Sequence, residues 1–189
     1  MVSFEKDIEA CLKVLRGGGL ILYPTDTVWG IGCDATDKEA VAKIYALKKR
    51  ADEKAMIVLV AEEREVMQYV AALDLAVFDF LQQTTKPTTV IYDGAIGLAD
   101  NVIAKDGSVA IRICKDDFCK HLLKRFRKPI VSTSANISGQ PVAALFENIS
   151  MEIVNGVDYV VKYRQQDKAI AAPSSVIRWK NNQIEVIRP

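Results

Sequence analysis

The stretch Lys128–Gly139, KPIVSTSANISG, decides how the rest of the chain is read. Ile130 and Val131 open it as a buried strand. Ser132-Thr133-Ser134-Ala135-Asn136 then follow, with Ser138-Gly139 behind, so four hydroxyls and one amide fall within seven residues. In an open α/β sheet, ligands bind in the crevice beyond the carboxyl ends of strands. A polar loop there offers hydroxyls and backbone N–H groups to an anion. Ser, Asn and Gly are equally the residues of a solvated turn. What weighs for a site is the set of partners elsewhere in the chain.

With 189 residues, half of them hydrophobic, the chain suits one domain with a sizeable core. No repeat, linker or low-complexity run divides 1–189, so a single domain is expected. Lys plus Arg number 25 and Asp plus Glu 24, giving a net charge of +1, so any anion site must come from local clustering of cations. Cys11, Cys33, Cys114 and Cys119 form no C-x-x-C pair, and His121 alone cannot complete a usual zinc set. No metal site is expected, and the thiols read as reduced structural residues of a cytoplasmic protein. No signal peptide or apolar run of membrane length appears, so no membrane partner is expected.

Outward from the serine stretch, the same plan recurs at Leu20–Tyr23, a short apolar run ended by Pro24 and followed by Thr25-Asp26-Thr27. Before it, Phe4, Ile8, Cys11, Leu12 and Leu15 have helical spacing, with Ser3 as N-cap and Gly17-Gly18-Gly19 as the stop. No Gly-Lys-Ser/Thr follows those glycines, so they are not a phosphate-binding P-loop. Val28–Gly32 returns to apolar character. Thr36-x-x-Glu39 reads as a capping box opening a helix that runs into Lys48-Lys49-Arg50, with Lys54 before a buried strand at Met56–Val60. The cations there fit a helix C-terminus or a solvated charge run as well as a ligand site. Glu62–Leu81 reads as helix, broken near Leu73-Asp74, and Thr88–Tyr92 as a strand. The 93–107 segment reads as a long loop, and Val109–Ile113 as a strand with Arg112 pointing away from the face of Ile111 and Ile113. Asp117–Phe126 is a helix, Pro141–Asn155 holds another, Asp158–Tyr163 is a strand, and a hairpin turning at Asn181-Asn182 closes the chain. Strands exceed what simple βαβ alternation supplies. The fold class is therefore α/β, a twisted mixed sheet flanked by helices.

The polar groups at strand ends are Thr27, Lys48, Arg50, Lys54, Arg112, Ser132, Ser134, Asn136, Ser174 and Arg188; five are cations. Brought together, they would make a positive cleft lined with hydroxyls, fit for a polyphosphate and a carboxylate. No Ser/His/Asp or Cys/His set, G-x-G-x-x-G or Walker A sequence accompanies them. A reaction there would rest on positioning and charge neutralisation, as phosphoryl or nucleotidyl transfer does.

In order, YPTDTVWGIGCDA (23–35), Lys48-x-Arg50 with Lys54, SVAIRI (108–113), STSANISG (132–139) and PSSV (173–176) cover nearly the whole chain. Together they resemble the YrdC-like threonylcarbamoyl-AMP synthase family. The resemblance implies a sheet enclosing a large positive cavity. It implies that L-threonine, bicarbonate and ATP give threonylcarbamoyl-AMP, pyrophosphate and water, the first step of t6A modification of tRNA. It implies Lys48 and Arg50 as catalytic and, with Lys54, as neutralising the ATP phosphates. Thr27, Arg112, Ser132 and Ser174 would hold threonine, while Ser108, Ser134, Asn136 and Arg188 would hold ATP. Mg²⁺ would accompany ATP, and the product would pass to a threonylcarbamoyl-transferase complex. The alternative is a non-catalytic module of the same fold that binds RNA or nucleotide. The chain departs from the family at Thr85-Lys86-Pro87-Thr88-Thr89, where W-P-G-P-L-T is usual, at Trp29 for Tyr, and at Lys54-Ala55-Met56 for Lys-Pro-Leu.

Overall fold

The computed structural model describes residues 4–50, 56–180 and 183–189. Ser3, Lys54 and Asn181-Asn182 therefore lie outside the described residues. The first elements are α1 (Glu5–Arg16), β1 (Ile21–Tyr23), β2 (Gly30–Asp34), α2 (Lys38–Lys48) and β3 (Ile57–Val60). Then come α3 (Glu63–Val66), α4 (Ala76–Gln83), β4 (Thr88–Tyr92), β5 (Val109–Ile113), α5 (Asp117–Phe126) and β6 (Ile130–Ser134). The chain closes with α6 (Met151–Asn155), β7 (Tyr159–Val160), β8 (Ser175–Lys180) and β9 (Gln183–Arg188).

The strands form one mixed sheet in the order β7-β1-β2-β6-β3-β5-β4-β8-β9. The apolar runs at β1, β2 and β3 are covered by the rest of the fold: Ile21, Leu22, Ile31, Cys33, Val58 and Leu59 are completely buried. Helices α1 and α5 pack together beside the sheet, where Phe4 meets Phe118 edge-on at 5.5 Å between ring centroids. All four cysteines are buried and unpaired.

Four sequence expectations need correction. First, Ser132–Ser134 belong to strand β6 and not to a loop beyond it. Their backbone pairs with Gly30–Gly32 of β2, and Ser132 also with Ile57 of β3, and this ladder outweighs the turn propensity of serine. Second, Asp37 caps α2, its Oδ1 accepting from the N–H groups of Glu39 and Ala40. The Thr36 hydroxyl is taken by Asp34 at 2.6 Å, so there is no capping box on Thr36. Third, residues 67–75 are not helical. The Ala71 N–H donates to Gly94 O and the Ile96 N–H to Tyr69 O, drawing this segment into pairing with the 93–107 loop. Fourth, β2 begins at Gly30, two residues later than its apolar run suggests.

Close approach fixes Gly32. A Cβ there would lie 2.7 Å from the Tyr23 ring and 2.9 Å from the Val131 carbonyl oxygen, and backbone cannot give way. Gly32→Ala is expected to cost about 1–3 kcal/mol, the usual cost of overpacking. A fall in the urea midpoint at unchanged slope checks this.

Candidate active site

Residues opposite each other on neighbouring strands share a face of the sheet. Following the register from strand to strand gives one row: Gly30 opposite Ser134, Ser132 opposite Ile57, Ile57 opposite Ala110, and Ala110 opposite Ile91. Thr89 opposite Val176, and Val176 opposite Arg188, carry it to the sheet edge. Every residue in that row lines one cavity of about 330 Å³. Thr27, Arg50, Arg112 and Ser174 complete its polar wall. Three arginines face this space, and none of the described lining residues is acidic.

The Lys48-x-Arg50 spacing works through a helix end. Lys48 is the last residue of α2 and Lys49 takes a left-handed backbone conformation (φ 51°), which ends the helix and sends Arg50 into the cavity wall. The Arg50 guanidinium lies 3.5 Å from the Thr133 hydroxyl. Burial lowers its pKa, yet arginine stays charged. Lys48 has a different fate. It is only 1% exposed and does not line the cavity. Its Nζ donates to the Ser134 carbonyl, to the Asn136 carbonyl at 2.6 Å and to Asn136 Oδ1 at 3.3 Å, while its own carbonyl accepts from the Ser138 N–H at 2.8 Å. Lys48 thus fastens the end of β6 and the turn after it. Burial, helped by the nearby Arg50 charge, pulls its pKa down to about 8.

The hydroxyls are pre-aimed. Thr25 Oγ1 donates its proton to Val28 O at 2.8 Å, so in the 3.0 Å contact of Thr27 Oγ1 with Thr25 Oγ1 it is Thr27 that donates. The lone pairs of Thr27 are left toward the cavity. Ser174 Oγ meets Thr89 Oγ1 at 2.8 Å, and Arg188 donates twice to the Ser174 carbonyl, at 3.1 and 2.7 Å. Ser134 Oγ donates to Asn136 Oδ1 at 2.6 Å, and Asn136 Nδ2 donates to Gln140 O at 2.7 Å.

Of the residues singled out in the sequence, Thr27, Arg50, Arg112, Ser132, Ser134, Ser174 and Arg188 come together in the cavity lining. Lys48 and Asn136 stand behind that wall. Ser108 lies apart: its hydroxyl is held by Asp106 Oδ1 at 2.6 Å, and with Arg178 it keeps the Asp106 carboxyl down at about 2. Thr89 and Asp26 escaped the sequence reading. Thr89 could have been found from the two-residue alternation it shares with Ile91. Asp26 was not among the residues singled out, yet its Oδ1 lies 3.1 Å from Arg112 Nη2 in a pair 14% and 4% exposed.

The Sua5_yciO_yrdC family model, described as Telomere recombination, matches residues 13–189. Threonylcarbamoyl-AMP synthase of Vibrio campbellii is 31% identical over 182 residues, 95% of this chain and 97% of that protein. The enzyme of the same name from Idiomarina loihiensis is 29% identical over 88% of this chain and 90% of its own. Among solved structures, E. coli YciO superposes with a TM-score of 0.83 at 22% identity, over 97% of this chain and 88% of that one. P. abyssi Sua5 complexed with L-threonine superposes at 0.86 and 21% identity, over 98% of this chain. This chain spans 54% of the length of that Sua5 chain.

The depressed Lys48 pKa gives a pH signature. Between about 8 and the ordinary 10.5 the unfolded chain holds a proton that the folded chain has lost, so stability rises with pH across that window. Lys48→Met removes this term. Paired urea titrations from pH 7.5 to 10.5 should show the wild type gaining on the variant as pH climbs, and parallel curves would contradict the assignment.

Proposed function

We propose a function from one premise: the chain belongs to the Sua5_yciO_yrdC family. It is a threonylcarbamoyl-AMP synthase, a nucleotidyltransferase that converts L-threonine, bicarbonate and ATP to threonylcarbamoyl-AMP, pyrophosphate and water. The observation that carries the reading is the meeting of Arg50, Arg112 and Arg188 with Thr27, Ser132, Ser134 and Ser174 in one cavity.

Threonine sits against Thr27, Arg112, Ser132 and Ser174. Arg112 supplies the fork that a carboxylate needs, and its burial strengthens that interaction. ATP lies along Arg50, Ser134 and Arg188, with Lys54 as a further phosphate partner and Lys48 and Asn136 supporting the wall. Ser108, carried by the resemblance alone, serves ATP only if its loop moves. The threonine amine combines with bicarbonate to form a carbamate and water. A carbamate oxygen then attacks the α-phosphorus, the bond to the pyrophosphate oxygen breaks, and pyrophosphate leaves. The arginines hold two anions together and offset charge that builds on the leaving group. Mg²⁺ enters with ATP as part of the substrate. The wall of hydroxyls and cations fits a metal held by phosphates and water, and the described residues contain no cluster of three His, Cys, Asp or Glu side chains that could hold one.

Chain 1–189 works as one domain in the cytoplasm, a reading supported by its unpaired cysteines. No helix among the described residues is long and apolar enough to cross a membrane. The adenylate passes to a threonylcarbamoyl-transferase complex acting on tRNA, and any direct RNA contact would use the same cations.

Incubation with ATP, L-threonine and bicarbonate should release pyrophosphate only when all three are present. Absence of turnover together with salt-sensitive RNA binding would favour a binding module instead. Arg112→Ala should weaken threonine binding by roughly 2–5 kcal/mol and ATP binding far less, since it removes one partner of a desolvated charge pair. Equal losses for the two ligands, read by calorimetry, would overturn the assigned role.

A further inference from the structure

Asp26 and Arg112 touch, yet each keeps an unused valence. Arg112 Nε is buried without a hydrogen-bond partner, and so is Asp26 Oδ1, because its 3.1 Å contact with Nη2 is poorly aligned for a hydrogen bond. A buried donor and a buried acceptor both left open in one contact are rare in a folded protein and point to something that completes them. The pair also has a position. Arg112 lines the large cavity, whereas Asp26 borders a second hollow of about 180 Å³ with Thr88 and Lys115, so the contact stands between the two. Thr27, the next residue after Asp26, is back in the cavity wall.

We propose that Asp26 is a specificity-determining residue, and that Arg112 and Asp26 together read a zwitterion. The guanidinium takes the carboxylate of an α-amino acid while Asp26 takes its ammonium. This rests on the reading above that the cavity accepts an amino acid. The physical reason lies in the charges. A ligand bearing a carboxylate alone, brought to Arg112, would meet the negative Asp26 a few ångströms away in a site that excludes water. An α-amino acid carries its ammonium on the carbon beside the carboxylate and satisfies both partners at once. Asp26 therefore rejects hydroxy acids by repulsion and accepts amino acids by attraction, the two halves of discrimination. It acts when the substrate binds, before the amine gives up its proton and reacts.

The test compares L-threonine with 3-hydroxybutyrate, which keeps the hydroxyl and carboxylate and lacks the ammonium. Wild-type protein should bind threonine much more tightly than the hydroxy acid in calorimetry. Asp26→Asn should lose about tenfold or more in threonine affinity and bind 3-hydroxybutyrate as well as or better than the wild type does, so the preference collapses. Asp26→Glu, which keeps the charge, should retain the preference. An equal loss for both ligands in Asp26→Asn would overturn the proposal, because a residue that merely props Arg112 would affect both alike. Should neither substituted protein fold, the wild type still decides: less than about threefold preference for threonine overturns the proposal. Failure of the wild type to bind threonine at all would instead remove the proposed function, whereas threonine binding untouched by Asp26→Asn would remove this inference alone.

Discussion

Arg112 sits on β5, in the interior of a nine-stranded sheet, with 4% of its side chain exposed. A guanidinium cannot shed its charge to suit such a place, so the surroundings must supply compensation. Much of the site can be read as that compensation. Strand β5 is the parallel partner of β3 and the antiparallel partner of β4, which fixes its register on both sides and forces Arg112 onto the same face as Ala110. On that face small or polar side chains (Gly30, Ala110, Thr89, Ser132 and Ser134) leave a hollow where a core would otherwise fill in. Asp26 offsets the buried charge on one side, and the hollow gives the guanidinium room to meet a ligand on the other.

The two cations of Lys48-x-Arg50 show how similar residues come to do different work. One αL residue at Lys49 separates them. Before it, Lys48 is still helical, and its long stem carries the ammonium to carbonyls that the end of β6 would otherwise leave bare. After it, the Arg50 N–H still donates to Tyr45 O at 3.0 Å, while its side chain leaves the helix axis and lines the cavity. A point charge on a flexible stem suits the clamp, while a planar fork suits anions in the cleft. The main chain of 134–138 then owes its placement to Lys48 twice, through the side-chain bonds and through the Lys48 carbonyl.

Much of the architecture was legible because local and global preferences agree. β4, β5 and α5 have the bounds their alternation and helical spacing imply, and Arg112 was recognised as facing away from Ile111 and Ile113. Legibility failed where a long-range partner overrode a local signal. Ser132–Ser134 look like a turn until β2 and β3 take up their backbone groups. The 67–75 segment keeps helical spacing, yet hydrogen bonds to the 93–107 loop hold it open. Thr36 has the spacing of a capping box, but Asp34 claims its hydroxyl first. Asp26 was missed for the same reason, since nothing in Pro-Thr-Asp-Thr says that its carboxylate will lie beside an arginine 86 positions further on. Lys54, central to the expected phosphate set, lies outside the described residues.

The cavity wall also bears on how chemistry would proceed. No carboxylate or imidazole lines it among the described residues, and His121 packs instead against Phe4, the two rings 5.5 Å apart. Apart from Asp26, which borders the neighbouring hollow beside Arg112, side-chain acid–base work has little to draw on there. Preorganised charge remains as the source of rate. Arg188 is presently held by a neutral carbonyl, an acceptor that an anionic oxygen outcompetes because charge-assisted hydrogen bonds are about twice as strong. Arg188 is thus held by an interaction weaker than the one phosphate would make. Little rearrangement is needed when the ligand arrives, and that is the condition under which electrostatic stabilisation contributes most to a transition state.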